Sequence, residues 1–458
     1  MNNASLRAGA AIVDITPAMG VQLAGDIGRH RPVEEIRDSL FARVLVLEAG
    51  GQRCAVVSLD IIAITKVHNT SLRQLIAERT GLPAEAVMIH CVQNHAAPGI
   101  GHEIVEESVE LPEELWYIRG GDDRYIPVVF EAVATALERA LAVMQPVTMK
   151  VGRATDGRVA FNRRFIMRDG NARTHPPQCS PEIVYCEGPM DPEVSLAVFE
   201  NADGQAVAAL LHHTCHPVHG YPQRWVSGGW PGAWARGMQG VLGEDCVPLV
   251  LNGFCGNIHH NNHLDPDFVD DYLAMGRKLT ETGARIVAQL TPMPVTSLTC
   301  LSRTLAVPYR TLDPAQFVQD DRYLAEHPEP IWIDRAAEAV EWEWVYAHSR
   351  LGLRRRIAAA PAYELEVQAF RLGEVAILGA EGEPFVEGQL EVKLHSPAAY
   401  TLMAHMTNGC AGYIPTKLAL RNGGYETRPG TWSMFCPDAL EMLAQGAREV
   451  LDEMFVTK

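Results

Sequence analysis

The sequence has no run of about 18–20 apolar residues, which is the length that a membrane-spanning helix requires. Its N-terminus, MNNASLRAGAAIVDITP, lacks the basic start and the apolar stretch of a secretion signal. None of the ten cysteines forms a CxxC pair, so we expect reduced, buried thiols in a cytoplasmic protein.

Basic residues are also scarce, since the chain has 39 Lys and Arg against 56 Asp and Glu, which gives a formal net charge of −17. This acidity predicts that neither nucleic acid nor an anionic membrane surface is a partner.

The composition is otherwise that of a globular protein, with 47% hydrophobic and 21% charged residues in 458. It excludes a disordered, collagen-like or mucin-like chain. The length allows a core of several layers. Proline and glycine punctuate the chain throughout and no low-complexity linker interrupts it, so we expect one domain over residues 1–458. An oligomer is compatible with all of this.

Three β-hairpin signals recur along the chain, each with two apolar runs around a glycine-containing turn. They span residues 42–60, 194–216 and 364–383, and they run into the polar residues Asp60, His216 and Glu383. Because functional side chains gather where strands end, the three hairpins are predicted to converge on one pocket. The alternative is three surface hairpins with unrelated ends.

Helical patterns alternate with the hairpins. Amphipathic spacing predicts helices over 66–80, 122–144, 268–290 and 437–454. Residues 313–358 are predicted to form a helical excursion from the sheets. Residues 103–114 contain six glutamates and no lysine or arginine, which indicates a solvated loop or a lid.

Ten of the 17 histidines fall in three short segments, at residues 90–102, 212–219 and 259–263. Histidine is the commonest metal ligand and titrates near neutral pH, so this clustering predicts a metal or acid–base site. An isolated histidine is more often structural.

Several motifs, taken in order, resemble the N-terminal domain of the neutral (non-lysosomal) ceramidases. They are GAAIVDITP near the N-terminus, DII after the first hairpin, NHAAPG at 94–99, NRR at 162–164, CHP at 215–217, GEP at 382–384 and GYIPT…GGYE at 412–426. Tyr413 and Tyr425 have the family's twelve-residue spacing.

The resemblance implies an α/β fold in which two mixed β-sheets form a multilayer sandwich flanked by helices. It also implies a zinc-dependent amide hydrolase. The predicted metal ligands are His95, His216, Glu383 and Tyr413. Arg163 and Tyr425 resemble residues that hold the substrate amide or its oxyanion, and His95 resembles a histidine beside the zinc.

The departures from the family are also specific. The histidine that supplies the family's other zinc ligand aligns with Gln93, and glutamine is a poor ligand for zinc. The loop that carries the family's reaction-centre serine aligns with residues 256–261, where His259 replaces the serine. His95 or His259 could restore a second imidazole, and iron or manganese would also suit an oxygen-rich ligand set. The carboxyl-terminal β-domain of full-length ceramidases has no counterpart, so we do not expect ceramide as the substrate.

The sequence therefore predicts a metal-dependent hydrolase that cleaves an amide or related acyl bond of a small, polar molecule through a metal-bound water. Arg163 and Tyr425 would stabilise the oxyanion. His259 would act as a general base or protonate the leaving group. Two alternatives stay open: a metal-dependent lyase, isomerase or glycoside-cleaving enzyme that acts on a sugar derivative, and a binding protein without catalysis.

Overall fold

The computed structural model describes residues 6–456, which contain three large mixed sheets. In spatial order, the first sheet consists of Val87–Cys91, Gln52–Leu59, Phe41–Ala49, Arg7–Asp14 and Gln145–Pro146. The second consists of Val247–Asn252, Ala206–His213, Glu193–Glu200, Thr148–Thr155 and Thr291–Met293. The third consists of Leu298–Pro308, Ala362–Leu372, Val375–Ala380 and Tyr400–Ala404.

The three sheets form two layers, because the second and third sheets lie side by side. His405 N–H, just after an edge strand of the third sheet, donates to the carbonyl of Asn252 at the end of the second, at 3.0 Å. One apolar core fills the space between this composite layer and the first sheet, with members such as Leu47, Leu210 and Ile377. The predicted sandwich of mixed sheets flanked by helices is therefore confirmed.

Helices cover the outer faces of both layers. The nine α-helices of the described part of the chain are Lys66–Thr80, Ile126–Ala142, Gly229–Leu242, Tyr272–Val287, Pro314–Glu326, Trp342–Ala359, Val386–His395, Lys417–Asn422 and Ala439–Val456. The first two pack on the first sheet, the next two on the second, and Val386–His395 and Ala439–Val456 on the third. The helix predicted over 66–80 matches its observed bounds, and the other three predicted helices differ by a few residues at their ends.

Aspartate side chains that cap the first backbone amides determine where two of the helical segments begin. Asp122 caps a short 3₁₀ turn, Asp123–Tyr125, that leads into the helix Ile126–Ala142. The Asp271 carboxylate accepts hydrogen bonds from the amides of Leu273 and Ala274, which starts the helix at Tyr272 rather than at residue 268.

Each predicted hairpin belongs to a larger unit in which it is followed by a helix and a strand parallel to its second strand. Ala206–His213, for example, is followed by the helix Gly229–Leu242 and by the parallel strand Val247–Asn252. The carboxyl ends of both parallel strands then open onto the same edge, where ligand sites of such sheets form. His216 and Glu383 follow strands of this kind.

The segment predicted as a helical excursion contains the helices Pro314–Glu326 and Trp342–Ala359. A short antiparallel pair, Trp332–Asp334 and Ala339–Val340, lies between them. Within residues 6–456, no helix is long and apolar enough to cross a bilayer.

Candidate functional site

Short backbone pairings bring the predicted site residues together. Glu383 pairs in parallel with Tyr413, and His216 forms a parallel bridge with His259. Ile258–His259 also pairs with Phe161–Asn162, so Arg163 follows directly at this place. These pairings lie beyond the strand ends, which is why side chains from distant parts of the chain reach one site.

His95 and His216 form a buried relay. Their Nε2 atoms lie 2.8 Å apart, and Nδ1 of His95 lies 3.1 Å from the carbonyl oxygen of Gly25. Burial lowers the pKa of His95 to about 3 and that of His216 well below its ordinary value, so both rings are neutral. A carbonyl only accepts, which assigns the His95 proton to Nδ1 and requires His216 to donate from Nε2.

Gly25 makes this relay sterically feasible. Its φ is +77°, in the left-handed region that favours glycine. A Cβ at this position would lie 2.6 Å from Nδ1 of His95. A side chain here would therefore push His95 away from His216.

The relay leaves Nδ1 of His216 as a free lone pair. This nitrogen lies 4.0 Å from Oε2 of Glu383, and both atoms are buried without a hydrogen-bond partner. Two unpaired acceptors that face each other away from water are costly. Zinc–ligand bonds are about 2.0–2.1 Å long, so one cation can contact two atoms at this separation, with a wide angle between the two ligands. The residues present therefore fit a metal ion.

Tyr413 supplies a third ligand-type atom, its hydroxyl oxygen, at the same place. Its hydroxyl accepts from Nη2 of Arg163 at 3.2 Å and also hydrogen-bonds with Glu383. Burial raises the pKa of Tyr413 well above its usual range and raises that of Glu383 to about 7. A cation at this point would oppose both effects because it favours the charged forms.

Arg163 is held by Glu426, which is not among the site residues predicted from the sequence. Nε of Arg163 donates to Oε1 of Glu426 at 2.9 Å, and Arg164 donates to Oε2 at 2.6 Å. Glu426 has no solvent exposure. Burial alone would lower the pKa of Arg163, but Tyr413 and Glu426 raise it, so the cation beside Tyr413 is permanent. The signal was present in the motif GGYE, whose last residue is Glu426.

Gln93 lies beside Glu383, where its amide hydrogen-bonds with the carboxyl group. Its Oε1 lies 2.8 Å from Nε2 of His405. His405 is also absent from the predicted site, because it lies outside the three histidine clusters of the sequence. Gln93 has a φ of +66°, which is uncommon for a residue with a side chain. The amide thus occupies a fixed place next to the two unpaired atoms.

A cavity of about 580 Å³ opens onto this group. Gln93, His95, Glu383, Tyr413 and Tyr425 line it. The Tyr425 ring packs edge-on against Tyr413 with centroids 5.7 Å apart, and burial raises the Tyr425 pKa well above its ordinary value. Both phenols are therefore neutral, and the hydroxyl group of Tyr425 can donate a hydrogen bond to a ligand.

His259 lies beyond His216, in a cluster of imidazole rings in which His260 stacks on it and His175 packs edge-on. Its ring centroid is 4.1 Å from that of His260 and 4.5 Å from that of His175. Nδ1 accepts from the amide of Asn261 at 3.0 Å, and burial lowers the pKa of His259 well below its ordinary value. Its neutral ring therefore carries its proton on Nε2, which makes that nitrogen a donor rather than a base.

A second group of ligand-type atoms lies near the same loop. Nδ1 of His219 and Nε2 of His260 both contact Oδ1 of Asp270, at 2.5 and 3.1 Å. The three atoms are close enough together to hold one ion. However, the two rings stack with centroids 3.6 Å apart and a tilt of 24°, and two nearly parallel rings cannot both direct in-plane lone pairs at one ion. The shared carboxylate explains this group without a metal.

Two further expectations are corrected by the structure. Asp60 does not reach the cavity, because it is buried in an ion pair with Arg43 at 2.6 Å and supports the first sheet. The segment 103–114 is not simply solvated, because Ile104, Val105 and Val109 are buried and Glu103 lines the cavity. Charge composition alone did not show these buried positions.

All ten cysteines are free, as expected for reduced thiols. Five of them, such as Cys54 and Cys255, are fully buried and three are partly buried, whereas Cys179 and Cys186 are exposed. The prediction of buried thiols therefore fails for these two, which lie in an outer loop and on the edge strand Ile183–Cys186.

Comparison with known proteins shows a ceramidase-type fold. The crystal structure of neutral ceramidase from Pseudomonas aeruginosa matches with a TM-score of 0.73 over 98% of this chain and 74% of that chain, at 17% identity. A ceramidase complexed with C2 matches with a TM-score of 0.72 over 99% and 75% of the two chains, also at 17% identity. No protein-family model matches the sequence.

A sequence relationship accompanies the shared fold. The neutral ceramidase of Pseudomonas aeruginosa is 26% identical over 219 residues, which are 46% of this chain and 30% of that enzyme. The resemblance drawn from the motifs is therefore confirmed, and the chain is a divergent relative of the neutral ceramidases with the fold of that hydrolase family. The sequence match spans less than a third of the relative's length.

Proposed function

We propose that this protein is a metal-dependent hydrolase that cleaves an amide or related acyl bond of a small, polar substrate. The observation that carries the proposal is the pair of unpaired, buried atoms, Nδ1 of His216 and Oε2 of Glu383, at 4.0 Å beside the cavity. The ceramidase-type fold supports hydrolysis as the reaction class.

His216, Glu383 and Tyr413 are the residues that would hold the cation. Zinc suits this set, and iron or manganese would also accept it. A cation bound here would polarise the substrate carbonyl and acidify a water molecule at neutral pH. His95 is better placed to orient His216 than to bind the same cation, since it contacts the opposite ring nitrogen.

The side chains around this point are arranged for an acyl group. Arg163 is a permanent cation next to Tyr413, and Tyr425 is a neutral donor that lines the cavity. We propose that they stabilise negative charge on the substrate oxygen in the transition state. His259, with its proton on Nε2, would donate a hydrogen bond to the reacting group rather than remove a proton.

The cavity supports a substrate that differs from ceramide. Ionisable side chains surround it, among them Lys66, His68, His102, Glu106 and Arg356. Burying long alkyl chains against such groups would leave them poorly solvated. We therefore propose a small molecule with several polar groups, and we retain a single catalytic domain and a cytoplasmic location as parts of the same proposal.

The test combines metal analysis with activity. Protein purified without chelator should contain about one transition metal ion per chain by elemental analysis, and His216→Ala and Glu383→Gln should each lose it. Metal-loaded protein should hydrolyse short N-acyl amines, whereas both variants should not. Absence of metal together with unchanged behaviour of His216→Ala would favour a binding protein. Turnover confined to sugar derivatives would favour a lyase, isomerase or glycoside-cleaving enzyme.

A further inference from the structure

Glu103 is a carboxylic acid without a counter-ion in the cavity wall. Most buried acids elsewhere in the described part of the chain pair with a guanidinium or an ammonium group, Asp26 and Glu383 being exceptions. Such pairs include Asp60 with Arg43, Asp191 with Lys393, Asp320 with Arg350, Glu381 with Lys66, and Glu426 with Arg163 and Arg164. Within residues 6–456, no lysine or arginine forms an ion pair with Glu103.

The contacts that Glu103 does make are weak for an acid. Its Oε2 accepts from Sγ of Cys410 at 3.8 Å, and the amide of Gly25 also hydrogen-bonds with the carboxyl group. Its Oε1 is buried without a partner. Burial raises the pKa of Glu103 to about 8, and the negative charge of Glu383 adds to this effect. A cationic ligand would remove that penalty because it stabilises the ionised carboxylate.

The charge of the whole cavity has the same sign. Its lining includes four glutamates, Glu103, Glu106, Glu107 and Glu383, against Lys66 and Arg356. Lys66 is already paired with Glu381, and Arg356 with Glu106. An acidic cavity of this kind concentrates cations.

We propose that Glu103 binds an ammonium group of the substrate, so that the natural substrate is an N-acyl compound that also carries a free amine. The acyl group would lie at the end of the cavity formed by Glu383 and Tyr413, and the ammonium group at Glu103. The cavity volume of about 580 Å³ falls in the range of small-ligand sites, which is about 300–1,000 Å³. The placement of the acyl group rests on the proposed function, whereas the binding of the cation does not.

Calorimetric titration with three small probes tests this inference. N-acetylethylenediamine carries the ammonium group, N-acetylethanolamine replaces it with a hydroxyl group, and N-propylacetamide has neither. We expect wild-type protein to bind the ammonium probe roughly ten- to a hundredfold more tightly than the hydroxyl probe, the usual value of a hydrogen bond to a charged group. Glu103→Gln should abolish this preference, because it keeps the shape and removes the charge.

Glu110→Gln is the matched control, since Glu110 is exposed on the same segment and does not line the cavity. It should retain the preference, and the melting temperatures of both variants should show that they fold. Equal binding of the three probes by the wild-type protein would overturn the inference, as would a preference that survives Glu103→Gln. If the preference is present but none of the probes is hydrolysed by metal-loaded protein, the proposed function fails while the cation subsite stands.

Discussion

The contact between Nε2 of His95 and Nε2 of His216, at 2.8 Å, determines which nitrogen of His216 is free. Nε2 of His95 accepts a hydrogen bond from Nε2–H of His216, because His95 carries its own proton on Nδ1 and donates it to the carbonyl of Gly25. The free Nδ1 of His216 then faces Glu383 rather than His95. Histidines that bind metals commonly use one nitrogen for the ion and the other for such an orienting bond.

This relationship predicts that His95 controls metal affinity without binding the metal. His95→Leu should weaken metal binding by about 10–100-fold, the usual effect of losing an orienting partner. His95→Gln should retain more affinity, because its amide can donate to Gly25 and accept from His216 at the same time. Competition with a fluorescent chelator measures both values. Equal affinities for the two variants would show that His95 does not act through this hydrogen bond.

Gln93→His tests whether Gln93 occupies a vacated ligand position. The amide of Gln93 lies against Glu383, next to the two unpaired atoms. An imidazole there would add a nitrogen ligand, and zinc prefers nitrogen to an amide oxygen. We expect tighter Zn²⁺ binding in the same chelator assay, with His102→Gln as a control for a histidine elsewhere on the cavity wall. An unchanged affinity would place Gln93 outside the metal site.

The substitution His259→Ser tests whether His259 acts as a general base or as a hydrogen-bond donor. A general base increases the reaction rate by about 10²–10⁴-fold, so its loss would reduce turnover by that factor. Because Nδ1 of His259 already accepts from Asn261, we expect the loss to be smaller than about 10²-fold, and the pH profile to keep its shape. Turnover and its pH dependence are measured with a short N-acyl substrate. A larger loss with a missing basic limb would restore the role of general base.

Sequence patterns captured the fold well because hairpins and amphipathic helices are local features. The helix Lys66–Thr80 and the three hairpins have the predicted positions. The site was harder to predict, because it depends on long-range pairings such as Glu383 with Tyr413. Asp60 follows a strand as His216 does, but only the fold shows that Arg43 neutralises it.

Glu103 is a cavity residue that the sequence pattern does not reveal. It belongs to an acidic segment that composition indicates to be solvated, yet it lines the cavity. The segment is held by apolar neighbours such as Val105 and Val109, and by an ion pair between Glu106 and Arg356. Burial of a few residues within an otherwise polar stretch produces no periodicity that a sequence pattern could show.

The stability of the ligand-free protein should depend on pH through Glu103. Burial raises its pKa from 4.5 to about 8, so the folded state holds the proton more tightly than the unfolded state. The resulting stability is fully present below about pH 4.5 and is lost as the pH rises toward 8. Glu103→Gln cannot ionise, so near pH 8 it should be more stable than the wild-type protein by about 2 kcal/mol, an order-of-magnitude value that allows for screening by water in the cavity. The two proteins should be equally stable near pH 5. Urea denaturation of the metal-free protein at both pH values measures this difference in the free energy of unfolding. Glu110→Gln is the exposed control. An equal effect of the two substitutions on stability would contradict the burial of the Glu103 carboxyl group.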